Sequence, residues 1–314
     1  MVKLIIRRIL MTIPLLFLVT VIVFSLSQLV PGDPAVTLAG ESATKEQIIE
    51  IRDKLGFDDP LVVQYGHMVK GLATGDLGTS LYSTQTVTAA LGQALPVTLS
   101  LAALALVLVI IVGVSFGILA GMRPGSILDR MLTLVASLGV AAPAYWVGMI
   151  LVIIFTFQFD LLPGALYVSW SDSKSEWLRH LILPAFALAL AGIVEVTRQL
   201  RGSLRDTMQL DYIRTARAKG MRQRTVVMKH GLKNAAIPVV TVIGLQVNAL
   251  LGGAIAVEQV FGFNGIGQLA VKAVRDRDLP VMQGIVLVSV VVVTVSNLLV
   301  DLAYGYLNPR VRAS

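Results

Sequence analysis

The chain has 314 residues, of which 55% are hydrophobic and only 14% are charged, and its formal net charge is +7. An ordinary soluble domain contains about 25% charged residues, so this composition excludes a soluble globular fold and indicates a chain that crosses a membrane several times. Cysteine is absent, which excludes disulfide bonds, thiol catalysis and cysteine-ligated metals.

The N-terminal segment carries three cations in its first eight residues and continues as an uncharged run over residues 9–30. This run can cross about 30 Å of hydrocarbon as a helix. The alternative is a cleaved signal peptide, but the apolar core of such a peptide has only about 7–15 residues, and no cleavage pattern of small residues precedes Pro31. We predict that residues 1–30 form a cytoplasmic N-terminus and the first transmembrane helix.

Residues 31–94 are polar and are predicted to form a small folded cap outside the membrane. Their opening, Pro-Gly-Asp-Pro at residues 31–34, should be irregular because proline disfavours helix in the residue before it. Thr44 and Gln47 have the spacing of a capping box at the start of an amphipathic helix. A second amphipathic stretch follows at residues 61–72.

Five more uncharged runs predict transmembrane helices. The fourth of the six spans has only 14 uncharged residues, but it reaches 21 when it is extended to residues 177–197, with Trp177 at the level of the headgroups. Pro143 and Pro184 lie in the third and fourth spans, and each can kink a helix. The five runs are residues 95–122, 131–159, 181–194, 235–257 and 279–300.

The distribution of charge sets the orientation. Ten of the 26 Lys and Arg residues lie between Arg198 and Lys233, and short loops rich in positive charge stay in the cytoplasm. With six crossings and both termini inside, the cytoplasmic parts hold 17 Lys and Arg against 5 Asp and Glu, and the external parts hold 9 against 14. The net charge therefore follows membrane orientation and does not indicate nucleic acid. We predict an all-α polytopic membrane protein with a five-helix core at residues 95–304 and a cytoplasmic tail at residues 305–314.

Residue sets that support enzymatic chemistry are absent from the sequence. There is no Gly-x-x-x-x-Gly-Lys-[Ser/Thr] loop to bind ATP phosphates, and the glycine-rich residues 262–267 are expected to form a tight turn. The three histidines, His67, His180 and His230, have no partners at metal-ligand spacing. We expect no catalytic residue, cofactor or metal in this chain.

Two acidic residues, Glu195 and Asp301, lie in or beside predicted spans, where a charge is costly. Both fall within about one or two turns of a cytoplasmic helix end, where Arg198 and Arg310 are near enough to pair with them. A structural role is favoured over the alternative of a proton relay.

One face of the fifth span is small and polar. Gly244, Asn248 and Gly252 recur at every fourth position, and Gln246 lies close by. Small residues permit close helix packing, whereas a polar face can line a path for a polar solute. Both alternatives hold if the helix packs at one end and lines the path at the other.

Residues 198–234, the basic connector, are predicted to contain more structure than an orientation signal requires. Residues 212–219 favour a helix that ends at Gly220, because glycine tolerates positive φ. A second helical segment then leads into the fifth span. The two helices would project into the cytoplasm, with Ile213, Ala216 and Gly220 on one side, where the groove of a partner can close around them.

At these residues the chain resembles the permease subunits of ATP-binding-cassette (ABC) importers, whose cytoplasmic loop carries Glu-Ala-Ala, three residues and Gly. Only Ala216 and Gly220 match that general motif, but residues 212–220 (YIRTARAKG) are similar to the version found in the dipeptide, oligopeptide and nickel branch. The long external segment after the first span resembles the B-type subunit of that branch. Other segments similar to this branch are residues 29–35 (LVPGDPA), 75–80 (GDLGTS), 95–99 (LPVTL) and 277–284 (RDLPVMQG).

The resemblance implies the fold of a type I importer permease in a prokaryotic cytoplasmic membrane. It also implies a C-type permease, an external substrate-binding protein, and two ATPase subunits or one fused ATPase that bind ATP and Mg²⁺, all assembled in membrane lipid. The substrate would be a di- or oligopeptide, with nickel chelates, glutathione or haem as alternatives. A receptor or scaffold without transport is the alternative from another class. The segment implied to couple to the ATPase consists of Tyr212, Ile213, Arg214, Thr215, Ala216, Arg217, Ala218, Lys219, Gly220 and Met221.

Overall fold

The computed structural model describes residues 2–28, 34–39, 43–127, 129–132, 134, 139 and 142–307. Within this part of the chain the regular elements are helices, and an isolated antiparallel bridge joins Thr79 to Thr86. The helices are α1 (Val2–Gln28), α2 (Pro34–Ala39), α3 (Lys45–Leu55), α4 (Leu61–Thr74), α5 (Val87–Met122), α6 (Ala144–Gln158), α7 (Lys174–Thr207), α8 (Asp211–Ala218), α9 (Gln223–Phe261), α10 (Ile266–Asp276) and α11 (Leu279–Leu307).

The apolar helices lie where the transmembrane spans are predicted. Among the described residues, α5, α7, α9 and the Leu279–Val300 part of α11 are long and apolar enough to cross a membrane. Shorter apolar helices lie at Leu10–Ser25 and Ala144–Gln158, within the first and third predicted spans. The all-α membrane fold is confirmed, and the count of six crossings stays a prediction.

The prolines of the third and fourth predicted spans have different effects on the helix: one precedes a helix start and the other lies inside an unbroken helix. Pro143 is in extended conformation, with φ −61° and ψ 140°, and α6 begins immediately after it, so the predicted run from 131 to 159 is not one unbroken helix. Proline at a helix start needs no N–H partner, which makes this a favourable place for it. Helix α7, in contrast, continues through Pro184 for 34 residues.

Contacts divide the chain into two units, and the first comprises residues 1–96 and 264–298. In its external segment the predicted capping box is confirmed: the Gln47 backbone N–H donates to the Thr44 hydroxyl, and the Thr44 N–H donates to the Gln47 side chain. The Tyr65 hydroxyl of α4 lies 2.9 Å from that of Thr20 in α1. The predicted irregular opening at residues 31–34 lies outside the described residues, apart from the start of α2.

Two of the sequence segments that carry the resemblance meet in the first unit. The Asp278 carboxylate accepts hydrogen bonds from the Ser80 hydroxyl, the Leu81 backbone N–H and the Val281 N–H in the first turn of α11. A Cβ atom at Gly284 would lie 2.5 Å from Val87, so glycine lets α11 approach the start of α5. These motif residues therefore fix a local fold.

The second unit, residues 97–263 and 299–314, is built around α7. Three glycines of α5 face buried residues of α7: Gly113 opposes Val196, Gly117 opposes Leu200, and Gly121 opposes Leu204. A Cβ atom added at any of these glycines would lie 2.7–3.0 Å from the opposing side chain. Because these three positions of α5 carry no side chain, the two helices can pack closely. Small residues stabilise helix pairs in lipid in this way.

Helices α5, α6 and α9 each contain a π-helical turn, in which the backbone winds more widely than in an α-helix. The turn in α5 ends at Gly113, and the Thr197 hydroxyl of α7 donates to the Gly113 carbonyl at 3.2 Å. This bond satisfies a carbonyl group at the widened turn. The three turns are Val109–Gly113, Val152–Gln158 and Val226–Gly231.

The end of the fifth predicted span differs from expectation. The uncharged run stops at Val257, which places Glu258 in an external loop, but α9 continues to Phe261 and the Glu258 side chain is fully buried. Its carboxylate accepts a 2.6 Å hydrogen bond from the Thr98 hydroxyl, so a polar partner makes burial of the acid tolerable. The tight turn is confirmed, because Gly262 ends α9 with φ 64°.

Candidate functional site

The basic connector is mostly helical. Its first ten residues extend α7 to Thr207, a short turn leads into α8 (Asp211–Ala218), and α9 begins at Gln223 and continues into the fifth span. The predicted short helix, glycine turn and second helix are therefore confirmed. Helices α7 and α9 each run without a break from the connector into an apolar span.

Helix α8 ends in a Schellman motif, the hydrogen-bond pattern that glycine makes possible at a helix C-terminus. Gly220 has φ 76°. Its N–H donates to the Arg217 carbonyl at 2.9 Å, and the Met221 N–H donates to the Ala216 carbonyl at 3.4 Å. Met221 also packs against the cluster that contains Ala216, the apolar contact that usually accompanies this motif.

The face of α8 that was predicted to meet a partner is covered by the chain itself. Ile213 is fully buried and Ala216 is 8% exposed, and both pack against Val226 at the start of α9. Met208 and Met221 complete this small core. The expectation that Ile213 and Ala216 are open to a partner's groove is wrong for this chain, because α9 folds back over them.

The rest of the surface of α8 is exposed and cationic. Asp211 is its acidic residue, and it pairs with Arg214 at 3.2 Å, but both side chains are largely exposed, so the pair contributes little to stability. Such a surface attracts a negatively charged partner. The exposed cations of α8 and the residues that follow it are Arg214, Arg217, Lys219, Arg222 and Arg224.

Tyr212 ties α8 to the base of α9. Its hydroxyl accepts a 2.7 Å hydrogen bond from the Asn234 amide and donates to the His230 carbonyl at 3.4 Å. The hydroxyl therefore joins the exposed side of the short helix to the helix that enters the membrane.

We expect Tyr212→Phe to loosen α8 without unfolding the protein. Loss of these hydrogen bonds costs about 1 kcal/mol, which raises the open population of the segment about fivefold. The rate of tryptic cleavage after Arg214 and Arg217 should rise by the same factor. Tyr82→Phe, at an exposed tyrosine of the first unit, is the control, and equal cleavage in both variants would contradict the role given to Tyr212.

A contact that the sequence did not predict joins the α7 part of the connector to the loop after α5. Asp129 is 2% exposed. It accepts hydrogen bonds from Arg201 Nε and Nη2 and from the Gly125 N–H, the last two at 2.9 Å. The hydrogen bond from Arg201 is the main cause that lowers the pKa of Asp129 below its ordinary value, and the Gly125 N–H adds to it. The carboxylate is therefore ionised at neutral pH.

The two acids singled out from the sequence have separate outcomes. Glu195 forms an ion pair with Arg198 at 2.5 Å, as predicted, and both side chains are partly exposed. The Asp301 side chain and Arg310 lie outside the described residues. In the described part of the chain, no group of three or more His, Asp or Glu residues is arranged to hold a metal ion.

The small and polar stripe of α9 is in close contact at one end and open at the other. A Cβ atom at Gly244 would lie 2.4 Å from Val300, and the Gln246 amide lies against Gly192 of α7. Asn248 is half-buried, whereas Gly252 is exposed with open space beside it. The packing alternative holds at Gly244, and a path-lining role for the others stays a prediction.

Comparison with known proteins gives one family along the chain. A model described as "Binding-protein-dependent transport system inner membrane component" matches residues 113–313, and the model for the N-terminal part of such membrane components matches residues 1–102. Similar proteins include a dipeptide transport system permease, DppB, of Alkalihalophilus pseudofirmus (38% identical) and an oligopeptide transport system permease, AppB, of Bacillus subtilis (38%). A glutathione transport system permease, GsiC, of Escherichia coli is 39% identical. Each alignment covers 98% or 99% of both chains.

Proposed function

We propose that this chain, which belongs to the family of binding-protein-dependent transport system inner membrane components, forms half of the path by which an ATP-driven importer carries di- or oligopeptides across the cytoplasmic membrane. The observation that supports this most directly is the match of nearly the whole chain, connector included, to permeases of peptide transport systems. The glutathione permease agrees with this class, because glutathione is a tripeptide.

The exposed face of α8 is the proposed contact with the ATPase. Ile213 and Ala216 hold the short helix on α9 from within, while Arg214, Arg217 and Gly220 are exposed and accessible to another protein. ATP binding draws the two ATPases together and moves each connector. A ligand shifts a conformational equilibrium only through different affinity for its states, and here ATP supplies that difference on the partner. The attached α7 and α9 then turn the cavity between inward-facing and outward-facing states.

The remaining parts of the proposed complex follow from the family. A C-type permease supplies the other half of the path, and an external binding protein delivers peptide over residues 31–94. Two ATPase subunits, or one fused ATPase, bind ATP and Mg²⁺, and this chain forms and breaks no covalent bond. Both termini are proposed to lie in the cytoplasm, and the ten cations of the basic connector support this orientation.

Reconstitution of the complete complex in liposomes tests the transport function. We expect uptake of a radiolabelled dipeptide that requires ATP and the binding protein and stops when a non-hydrolysable ATP analogue replaces ATP. ATP-dependent uptake of a nickel chelate or haem without peptide uptake would overturn the substrate class. A complex that binds peptide but transports nothing would indicate the receptor alternative.

Reversal of one exposed charge tests the docking face. Arg217→Glu should weaken the affinity of the ATPase for the permease pair about tenfold, equivalent to about 1.4 kcal/mol. Binding is measured with purified ATPase and permeases in nanodiscs at two salt concentrations, because screening reduces such an effect. Lys229→Glu changes the same charge on an exposed residue outside α8, and an equal loss in both variants would contradict a contact specific to α8.

A further inference from the structure

Asp129 organises the short loop that follows α5. The Ser126 N–H donates to the Arg123 carbonyl at 3.2 Å, and Gly125 takes φ 80°, a left-handed conformation suited to glycine. The Ser126 hydroxyl accepts the Asp129 backbone N–H, while the Gly125 N–H donates to the Asp129 carboxylate. The loop is thus folded around one acidic side chain.

That carboxylate is held from α7 by Arg201. Both carboxylate oxygens accept hydrogen bonds from the guanidinium, one from Nε and one from Nη2. A bidentate pair of this kind fixes the relative orientation of its two partners as well as their distance. Arg205, one turn further along α7, adds an attractive charge. Asp129 is almost completely buried and Arg201 is one-third exposed, so water competes little for the acid.

Arg201 lies within a continuous set of contacts that joins the α7 part of the basic connector to α5 and α9. On the same helix, Leu200 and Leu204 pack on Gly117 and Gly121 of α5. Leu204 also lies beside Gly231, in the π-helical turn of α9 that precedes the fifth span. The pair therefore joins the loop after the second span to the part of α7 that contacts both α5 and α9.

We infer that Asp129 is a positioning residue for energy coupling: its bond to Arg201 makes the loop 123–130 move together with α7, so that displacement of α8 reaches the second span. This inference depends on the proposed function, since it assigns a route for motion that the ATPase imposes. Close packing alone lets helices slide past one another, whereas a bidentate ion pair resists sliding.

The first experiment compares Asp129→Asn with Glu195→Gln in the reconstituted complex. Glu195→Gln neutralises an acid that also pairs with an arginine of α7, but at a partly exposed site. We expect Asp129→Asn to lower peptide uptake per ATP hydrolysed by about tenfold, within the range for residues that connect two sites, while Glu195→Gln leaves the ratio unchanged. The reversed pair, Asp129→Arg with Arg201→Asp, should recover part of the ratio.

A second experiment covers the case in which Asp129→Asn fails to accumulate. Because the chain has no cysteine, Asp129→Cys with Arg201→Cys can be joined by a short bis-methanethiosulfonate reagent that reduction removes. The ratio of peptide uptake to ATP hydrolysed is measured in the same sample before and after reduction. A ratio that is high in the bridged protein and low after reduction supports the inference. An equal ratio before and after reduction, or an unchanged ratio in Asp129→Asn, overturns it. Absence of ATP-dependent uptake by the wild-type complex would instead overturn the proposed function.

Discussion

Tryptophan at position 220 is expected to reduce peptide uptake about a hundredfold or more, the effect of losing a central contact of an interface. Gly220 has φ 76°, and a Cβ atom there would meet no atom within 4 Å. A side chain is therefore strained by roughly 1–2 kcal/mol but collides with nothing in its own chain. An indole group would instead occupy the exposed surface on which the ATPase is proposed to dock.

Two further variants separate strain from docking. Gly220→Asn keeps the left-handed conformation accessible, because asparagine tolerates it, and should retain most of the uptake. Gly75→Trp places the same bulk at a helix-ending glycine of the first unit, with φ 77° and open space beside it, and should leave ATPase binding intact. Full peptide uptake by Gly220→Trp at normal expression would remove the coupling role from this segment.

The substitution Gly117→Leu is expected to disrupt the packing of α5 against α7. An added Cβ atom would lie 2.7 Å from the Leu200 Cβ, which is a contact between atoms close to two backbones that side-chain rotation cannot relieve. Overpacking of this kind costs about 3 kcal/mol and should lower the midpoint of thermal denaturation by roughly 5–10 °C. The midpoint is measured on the purified protein in detergent.

The swapped variant, Gly117→Leu with Leu200→Gly, moves the side chain to the other helix and should recover much of the loss. Gly202→Leu is the matched control, since Gly202 is an exposed glycine of α7 with no atom within 4 Å of its Cβ position. Leucine favours a helix more than glycine does, so a denaturation midpoint that falls as much in Gly202→Leu as in Gly117→Leu would contradict close packing against Leu200 as the cause.

Features that depend on neighbouring residues could be predicted from the sequence. Uninterrupted apolar runs indicated the membrane helices, Thr44 and Gln47 indicated a helix start, and Gly220 indicated a helix end. Each depends on a local rule of length, capping or backbone conformation. For the same reason the short helix of the connector was predicted with nearly the correct limits.

Features that depend on distant residues could not be predicted. Asp129 and Arg201 are 72 positions apart, and cations beside a membrane span indicate orientation before they indicate a partner. Glu258 was placed in a loop because hydropathy ends a span at an acid and takes no account of a partner such as Thr98. Helical spacing put Ile213 on one face of α8, but it did not show that α9 covers that face.

The unbroken length of α7 has a mechanical consequence. A helix of 34 residues is about 51 Å long, so a tilt of about 10° around a mid-membrane pivot moves each end by about 4–5 Å in opposite directions. The first ten residues of the connector form one end of this lever. In the proposed mechanism, a modest push on its cytoplasmic arm would therefore move the other end of α7 by a distance comparable to the width of a peptide backbone, without any change in the fold of the helix itself.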